Sequence, residues 1–588
     1  MKSLLQLFLN LIDDVMRLHP DVVGLGRDYL TIKARLEDEG SGFASVTLPS
    51  FGKTFDLSLA SGRMAHVPGF ARNKSLPKFL QGLTSLVFDA KSGLLRDDYS
   101  VEAIVSIRQI CYLCKKMLPG VQRDELLRKL AIKQFLADDD SIKGIAPFRL
   151  DRLNRVGQFI LGDLDDFQEL DCRHGPGAVA EGYTHNQKWE SVYRGLVDMD
   201  PRLIDYGYDL PAMLLRDRDI IDESSSVHRL AASARLAVVA KSCSAMRTIT
   251  VEPCLNQFVQ QGFNTWLRDC VSRCPVLKQS LTLDSQVPNQ QLALEGSITG
   301  NWCTIDLSAA SDLLSLQAVE AVFASKPRFL SGIKACRTSS VEVGSDTIHL
   351  NKYAGMGNAT TFPIQSVVFT VIALSAMVGS TKELNYEKLR RFSKCIRVFG
   401  DDIVVRSEYY QDVADWIICC GLKINRSKTF SEGNFRESCG VDAIGGTDVT
   451  PVYLRHDPDS PSTDSVLTSF CDTSNQLWFR GYYRTAGFIQ QLVEKVLGPL
   501  PLVANNSSGL GWKTRKNWST ASRWSHSLHR FEVRTYVPSS SRKIDNLSGF
   551  PALIKFYHTP RLAEYDVNHL SSSVRRFTLN LRKRWVPV

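Results

Sequence analysis

Ile396-Arg-Val-Phe-Gly-Asp-Asp-Ile-Val-Val405 sets two short runs of β-branched and aromatic residues on either side of Gly400, with the adjacent carboxylates Asp401 and Asp402 just behind the glycine. The pattern predicts a β-hairpin with acids at its turn. Paired acids at a tight turn, flanked by strands that seek burial, suit the holding of divalent cations where a phosphate can approach. Read alone, Gly-Asp-Asp is equally an Asx-type surface turn, since a chain of this length contains it by chance roughly 0.1 times.

The acids upstream extend the pattern. Cys303-Thr-Ile-Asp-Leu-Ser308 is a short apolar strand ending in Asp306, followed by Ala309-Ala-Ser-Asp312 and an apolar helix to Phe323. One carboxylate from that strand beside two from the hairpin makes a three-acid group. Such like charges repel and persist together only when cations neutralise them. Mg²⁺ fits, because it takes one or two protein carboxylates and leaves its other positions to water and phosphate oxygens; Mn²⁺ is the alternative. In a two-metal site Asp306 and Asp401 are the expected bridging ligands, with Asp402 as a further ligand or a supporting group.

Between the acids, Tyr353-Ala-Gly-Met-Gly-Asn-Ala-Thr-Thr-Phe-Pro-Ile-Gln-Ser366 reads as a glycine-rich loop running into an apolar helix. Gly355 and Gly357 are expected to let the backbone approach a ligand, while Asn358, Thr361, Gln365 and Ser366 offer neutral hydrogen bonds to a ribose 2′-hydroxyl and a templating base. Leu236 to Glu252 reads as two strands with Lys241 and Arg247 on the loop between them, two cations able to clamp a triphosphate, and Pro253 opens a helix. After the hairpin, Gly421 to Phe430 supplies Lys423 and Lys428. Either is a candidate general acid toward a leaving pyrophosphate, Lys428 the preferred one, or an exposed cation.

The remainder bounds the answer. The 588 residues, 44% hydrophobic and 23% charged, are long enough for several subdomains and exclude a disordered or fibrous chain. The 71 Lys plus Arg against 62 Asp plus Glu leave a net +9 that suits a polyanionic partner. Fourteen cysteines without regular spacing, Cys111 and Cys114 included, read as reduced, mostly buried thiols. No apolar run is long enough for a membrane span: Val367 to Val378 reads as a buried helix, and Lys2 to Asp14 as an amphipathic one. Residues 1 to about 140, including a basic amphipathic stretch from Arg123 to Phe135, offer no chemical motif. Gly175-Pro-Gly177, within the stretch from Cys172 to His185, marks a tight turn, either structural or a close approach to nucleic acid. Past a Pro/Ser/Asp cluster at 457–465, helical patterning returns from Val466 to Leu497. Basic and aromatic residues then interleave at Trp512, Lys513, Arg515, Lys516, Trp518, Arg523 and Trp524, and again at Arg575-Arg576 and Arg582 to Trp585. They are suited to phosphates and bases, or form a solvated basic tail.

The order of these pieces resembles the palm of viral RNA-dependent RNA polymerases. More narrowly, Thr304 to Asp312, Met356 to Phe362, Phe399 to Ile403 and Phe435-Arg-Glu-Ser-Cys-Gly440 look like the replicase catalytic subunit of levivirus-type single-stranded RNA bacteriophages; His174-Gly-Pro-Gly177 and Glu252-Pro253 agree. The close resemblance covers about residues 172 to 456. It implies an α+β right hand, with residues 1–235 as N-terminal region and fingers, 236–300 as the basic hairpin and start of the palm, 301–456 as palm, and 457–588 as thumb and basic C-terminal region. It implies metal ligation by Asp306 and Asp401, with Asp402 and the Leu307 carbonyl nearby, triphosphate contacts at Lys241 and Arg247, and ribose reading by Asn358 and Thr361. Two departures stand out. Ser311 occupies the place of the wider pattern's second acid, with Asp312 one further on, and Gln365 stands where Asn is usual. The implied setting is the cytoplasm of a bacterial host. Template and product RNA, nucleoside triphosphates, host elongation factors Tu and Ts and a ribosomal RNA-binding protein are the implied partners, with no membrane. A narnavirus- or mitovirus-type polymerase, a reverse transcriptase, and a non-catalytic RNA-binding virion protein whose acids form a structural metal site are the competing readings.

Overall fold

The computed structural model describes residues 2–117, 124–168, 170–184, 186–198, 200–206, 232–379, 384–460, 462–513, 523–558 and 571–587. Arg123, His185, Arg515, Lys516 and Trp518 lie outside the described residues, and the side chains of Arg575 and Arg576 are not described. Helices and mostly antiparallel strands mix along the chain, as an α+β reading expects.

The elements around the acids are, in chain order, α1 (Glu125–Asp140), β1 (Ala234–Ser242), β2 (Ala245–Val251), α2 (Cys254–Arg273), β3 (Trp302–Ser308), α3 (Thr361–Met377), β4 (Ile396–Phe399), β5 (Asp402–Arg406) and β6 (Lys423–Ile424). The predicted hairpin is β4–β5, turning through Gly400 and Asp401. It joins β3 and β6 in a four-stranded sheet of order β6-β3-β5-β4. Ile403, Val404 and Val405 are fully buried, as are Ile396 and Val398, so the β-branched runs fill a core where pleated geometry favours them. Gly400 has φ +63°, the left-handed conformation that a tight turn assigns to glycine.

Against this sheet lies α3, in which every residue except Phe362 is buried. It is the apolar helix expected over 367–378. Among the described residues no helix is long and apolar enough to cross a membrane. The Ser366 hydroxyl accepts the Gly400 amide at 3.1 Å and donates to the Phe362 carbonyl at 2.8 Å, pinning the acid turn to the helix.

A second core joins sequence-distant parts: residues 4–117 pack with residues 430–512. Asp14 accepts the amides of Arg484 and Thr485 and the Thr485 hydroxyl, at 2.7–2.9 Å, tying the amphipathic helix Lys2–Leu18 to the helix Tyr483–Leu497. Buried Arg108 pairs with both Asp56 and Asp442 and donates to the Val449 carbonyl at 3.1 Å. All fourteen cysteines are free, and Cys111 and Cys114 are buried.

Two expectations need correction and a third needs widening. Lys241 and Arg247 lie on β1 and β2 themselves, not on the loop between them; the turn is only Cys243-Ser244, and Arg247 pairs with Val239 across the ladder. The glycines of the glycine-rich loop are set by contact with β2 as well as by the cavity beside Asp401, which Met356 and Gly357 border. The Thr250 amide donates to the Met356 carbonyl at 2.7 Å, and a Cβ on Gly355 or Gly357 would collide with Thr250. The C-terminal basic run is not a tail: Arg582 to Trp585 belong to the strand Ser571–Pro587, paired along its length with Arg530–Asn546. The Gly175-Pro-Gly177 turn is held by Lys188, whose ammonium donates to the Gly175 and Gly177 carbonyls at 2.8 and 2.7 Å.

Candidate active site

Backbone register brings the acids together. Asp306 on β3 lies directly opposite Asp402 on β5, and Asp401 occupies the adjoining turn. Directly opposed residues of an antiparallel pair have Cβ atoms about 4.5–5.5 Å apart on one face. Three carboxylates from segments 95 residues apart in sequence thus meet at one sheet end. Asp401 is exposed, whereas Asp306 and Asp402 are part-buried.

Their electrostatics record the crowding. The Asp402 carboxyl is pushed up to about 6, first by burial and then by Asp401, with Asp306 adding to it and the Cys439 amide and thiol drawing it back. Burial also raises Asp306; Lys428 and Asn425 oppose that shift while Asp401 and Glu437 reinforce it. Asn425 donates to Asp306 Oδ2 at 2.7 Å and, through its amide, to the Asp306 carbonyl at 2.9 Å. Lys428 donates to Glu437 Oε1 at 3.0 Å. Burial works against its charge, but Glu437, Asp306 and Asp402 prevail and hold the ammonium well above the usual lysine range. Lys423 instead pairs with Asp138 of α1 at 2.9 Å.

The donor set suits a hard cation: carboxylate and carbonyl oxygens, with a nearby thiol that burial keeps protonated. Among the described residues no three His, Cys, Asp or Glu side chains already enclose a metal position. The convergence lies in the backbone, and the carboxylates would close on an ion by side-chain rotation.

Beside Asp401 opens a cavity of about 510 Å³, within the roughly 300–1,000 Å³ typical of ligand sites. Its walls collect Lys241 and Arg247 from the β1–β2 hairpin, Leu307 from β3, Ser311 and Asp312 from the segment after it, Asn358 and Thr361 from the glycine loop and the start of α3, and Asp401. Asp306, Asp402 and Lys428 are not among the walls and connect to them through Asp401. Neither Lys241 nor Arg247 makes an ion pair among the described residues.

Two buried polar atoms in these walls have no protein partner: Asn358 Nδ2 and Gln365 Oε1. Asn358 Oδ1 is engaged by the Thr360 amide and hydroxyl at 2.8 and 2.7 Å, which fixes the side chain with its NH₂ free. A buried donor without a partner costs about 1–3 kcal/mol unless a ligand or water satisfies it. Thr361, by contrast, spends its hydroxyl proton on the Gly355 carbonyl at 3.0 Å and keeps only acceptor capacity. Ala309, where the chain leaves β3, has φ +51°, a conformation unusual outside glycine that clusters at functional sites.

Asp312 is held by a group that no motif announced. Fully buried Lys352 donates to its Oδ1 at 3.0 Å, lies 3.9 Å from Asp139 and stands 3.4 Å from the Phe135 ring centroid. Asp139 in turn accepts the amides of Asn351 and Lys352 at 2.9 and 3.0 Å. Helix α1, opaque in sequence, therefore supplies Gln134, Phe135 and Asp138 to the cavity wall. Asn425 and Glu437 were missed as well: both lie inside stretches singled out for other residues, and a lone amide just past one short strand or a lone acid on another carries no pattern.

Comparison with known proteins agrees with the motif strings. Residues 209–468 match the family model described as RNA replicase, beta-chain. The RNA-directed RNA polymerase subunit beta of Escherichia virus Qbeta is 36% identical over 230 residues, which is 39% of this chain and 36% of that protein. The corresponding subunit of Enterobacteria phage SP is 34% identical over 238 residues, 40% of this chain and 38% of that protein. The aligned stretch thus spans less than two-fifths of these relatives' own length. A crystal structure of the RNA-dependent RNA polymerase of a human picorbirnavirus aligns over 45% of this chain and 55% of that one, at 12% identity and a TM-score of 0.32, a likeness too slight to bear on the fold. The resemblance to levivirus-type replicase subunits, first read from short motifs, extends across the whole of the acid-bearing region.

Proposed function

We propose that this chain is an RNA-dependent RNA polymerase that copies a positive-strand RNA phage genome by adding ribonucleoside monophosphates to an RNA 3′ end. The observation that carries the reading is the cross-strand pairing of Asp306 with Asp402 beside a cavity walled by two unpaired cations and an orphaned amide. In this reading residues 1–235 are the N-terminal region and fingers of a right hand, 236–300 the basic hairpin and start of the palm, 301–456 the palm, and 457–588 the thumb and basic C-terminal region.

Asp306 and Asp401, with Asp402 and the Leu307 carbonyl, would hold two Mg²⁺ or Mn²⁺ ions, which supply activation of the attacking 3′-hydroxyl and neutralisation of the leaving pyrophosphate. Lys241 and Arg247 receive the triphosphate, their charges unspent on protein partners. Asn358 Nδ2 donates to the ribose 2′-hydroxyl, and Thr361 Oγ1 can only accept from it. Ser311 takes the sugar-facing place of a second acid, while Asp312, tethered by Lys352, shapes the wall behind it. Lys428 Nζ keeps its proton at rest and presents a positive charge, and a proton, to the departing pyrophosphate. Template and product RNA are the macromolecular substrates. The bacterial cytoplasm is the setting, with elongation factors Tu and Ts and a ribosomal RNA-binding protein as candidate helpers.

The test incubates purified protein with RNA template, labelled ribonucleoside triphosphates and Mg²⁺, with and without bacterial lysate. Template-complementary RNA is expected, absent with Asp401→Asn although RNA binding is retained. DNA products from deoxynucleotides, or undiminished function of Asp401→Asn, would overturn the reading.

A further inference from the structure

A second cavity, of about 540 Å³, opens between the helix Asp464–Phe479 and the loop 504–513. One wall is a polar stripe of that helix: Ser465, Thr468, Ser469, Asp472 and Gln476 recur at i, i+3, i+4, i+7 and i+11, the spacing that puts side chains on one face. The facing loop is clamped by buried Asn475, whose Nδ2 donates to the Gly511 carbonyl at 3.0 Å and whose Oδ1 accepts the Lys513 amide at 2.9 Å. Lys513 therefore projects from a fixed backbone. It shares the cavity with Lys116 and Arg455, and among the described residues Asp472 is the only acid in the walls.

None of these three cations makes an ion pair among the described residues. Lys116 stands 3.9 Å over the Tyr453 ring. Burial lowers its pKa, Arg455, Lys115 and Lys428 lower it further, and Asp442 opposes them. Burial also lowers Lys115, but there Glu437, Asp442 and Asp56 oppose it. Lys116, Arg455 and Lys513, none of them ion-paired among the described residues, are relieved by an anion, and the Ser465 and Ser469 hydroxyls line the wall beside them.

We infer that the cavity formed by Lys116, Arg455, Lys513 and the polar face of the helix Asp464–Phe479 is a binding site for phosphate groups of RNA, separate from the catalytic cavity. The phosphates come from a strand backbone or from a free nucleoside triphosphate, and the same three cations would engage either. Only the assignment of the bound strand as a polymerase substrate rests on the function proposed above; phosphate binding stands on the cavity alone.

The test uses the full-length chain and a labelled single-stranded RNA 12-mer, with affinity measured from 50 to 200 mM KCl. Each phosphate neutralised contributes a slope of about −0.7 in log affinity against log salt. The triple variant Lys116→Ala/Arg455→Ala/Lys513→Ala should lose about 2 of that slope, so its affinity falls roughly 18-fold less than wild type over the fourfold rise in salt. The charge-conserving variant Lys116→Arg/Arg455→Lys/Lys513→Arg should keep the wild-type slope, and each single alanine variant should lose about 0.7. ATP affinity, measured in parallel, separates the sources. A loss confined to RNA identifies a strand backbone, and a loss confined to ATP identifies a triphosphate. An unchanged slope together with unchanged ATP affinity overturns the inference. Wild-type protein that synthesises no RNA yet shows the charge-dependent slope would refute the polymerase reading and leave this site standing.

Discussion

Lys352→Met keeps most of the aliphatic stem but deletes the ammonium that stands over Phe135 and neutralises Asp312. Lys352 is fully buried, and Asp312 is nearly so, its carboxyl already raised by burial, with Lys352 as the largest opposing influence. Removing one partner of a buried ion pair costs about 3–5 kcal/mol. An independent route gives a similar figure. The stranded carboxyl escapes by taking a proton, and protonating a group of ordinary pKa near 3.9 at pH 7 costs about 4 kcal/mol. The cost should therefore depend on pH, falling to about 1.5 kcal/mol at pH 5, where the proton is more available. Urea unfolding at pH 5, 6 and 7 measures this. Lys352→Met should be less stable than wild type by about 4 kcal/mol at pH 7, with the deficit shrinking as pH falls. Asp312→Asn in the same background should recover more than half of it, because the carboxylate that Lys352 bonds directly is gone and Asp139, farther off, keeps two backbone amides. A deficit below about 1 kcal/mol at pH 7, or a double variant no more stable than Lys352→Met, would refute the reasoning.

Asn358→Ala removes the orphaned donor assigned to the 2′-hydroxyl, and discrimination of ribo- over deoxyribonucleotide should drop about tenfold, as loss of a hydrogen bond worth about 1.4 kcal/mol requires; competition between ATP and dATP in primer extension reads this directly. A second, purely structural prediction concerns Asp28, whose Oδ1 accepts the Leu80 amide at 2.9 Å while buried Oδ2 has no partner. Burial raises its carboxyl from 3.8 to about 6. A folded-state value above the unfolded one favours the fold below pH 4, and that advantage is lost as pH rises through 6. Asp28→Asn does not titrate, so its stability relative to wild type should improve by about 2–3 kcal/mol between pH 4 and pH 7, read from melting temperatures of the two proteins across that range.

The hairpin at 396–405 was legible because its signal is local: β-branched runs, one glycine with φ +63° and two acids. Asp306 was legible as a strand-borne acid, but its register against Asp402 is a long-range property that no spacing along the chain encodes. The glycine loop shows how a motif can carry a second reason: Gly355 and Gly357 are also required by the close approach of Thr250 on β2, while Gly357 and Asn358 border the cavity. Helix α1 was illegible because the residues it brings to the cavity, Gln134, Phe135 and Asp138, have ordinary side chains on an ordinary helix face. Their meaning comes from Lys352, more than 200 residues later, folding onto them. Likewise, nothing local announces that residues 4–117 share a core with residues 430–512.

Single-turnover extension of an RNA 3′ end by wild type and by Asp306→Asn, at matched RNA occupancy, tests the central claim most directly. The account predicts a rate loss on the order of 10³-fold or more, equivalent to about 4 kcal/mol of lost transition-state stabilisation, with RNA affinity within about twofold of wild type. Extension by Asp306→Asn within about tenfold of the wild-type rate would contradict it, because a carboxylate that chemistry can spare is not the one on which the site is built.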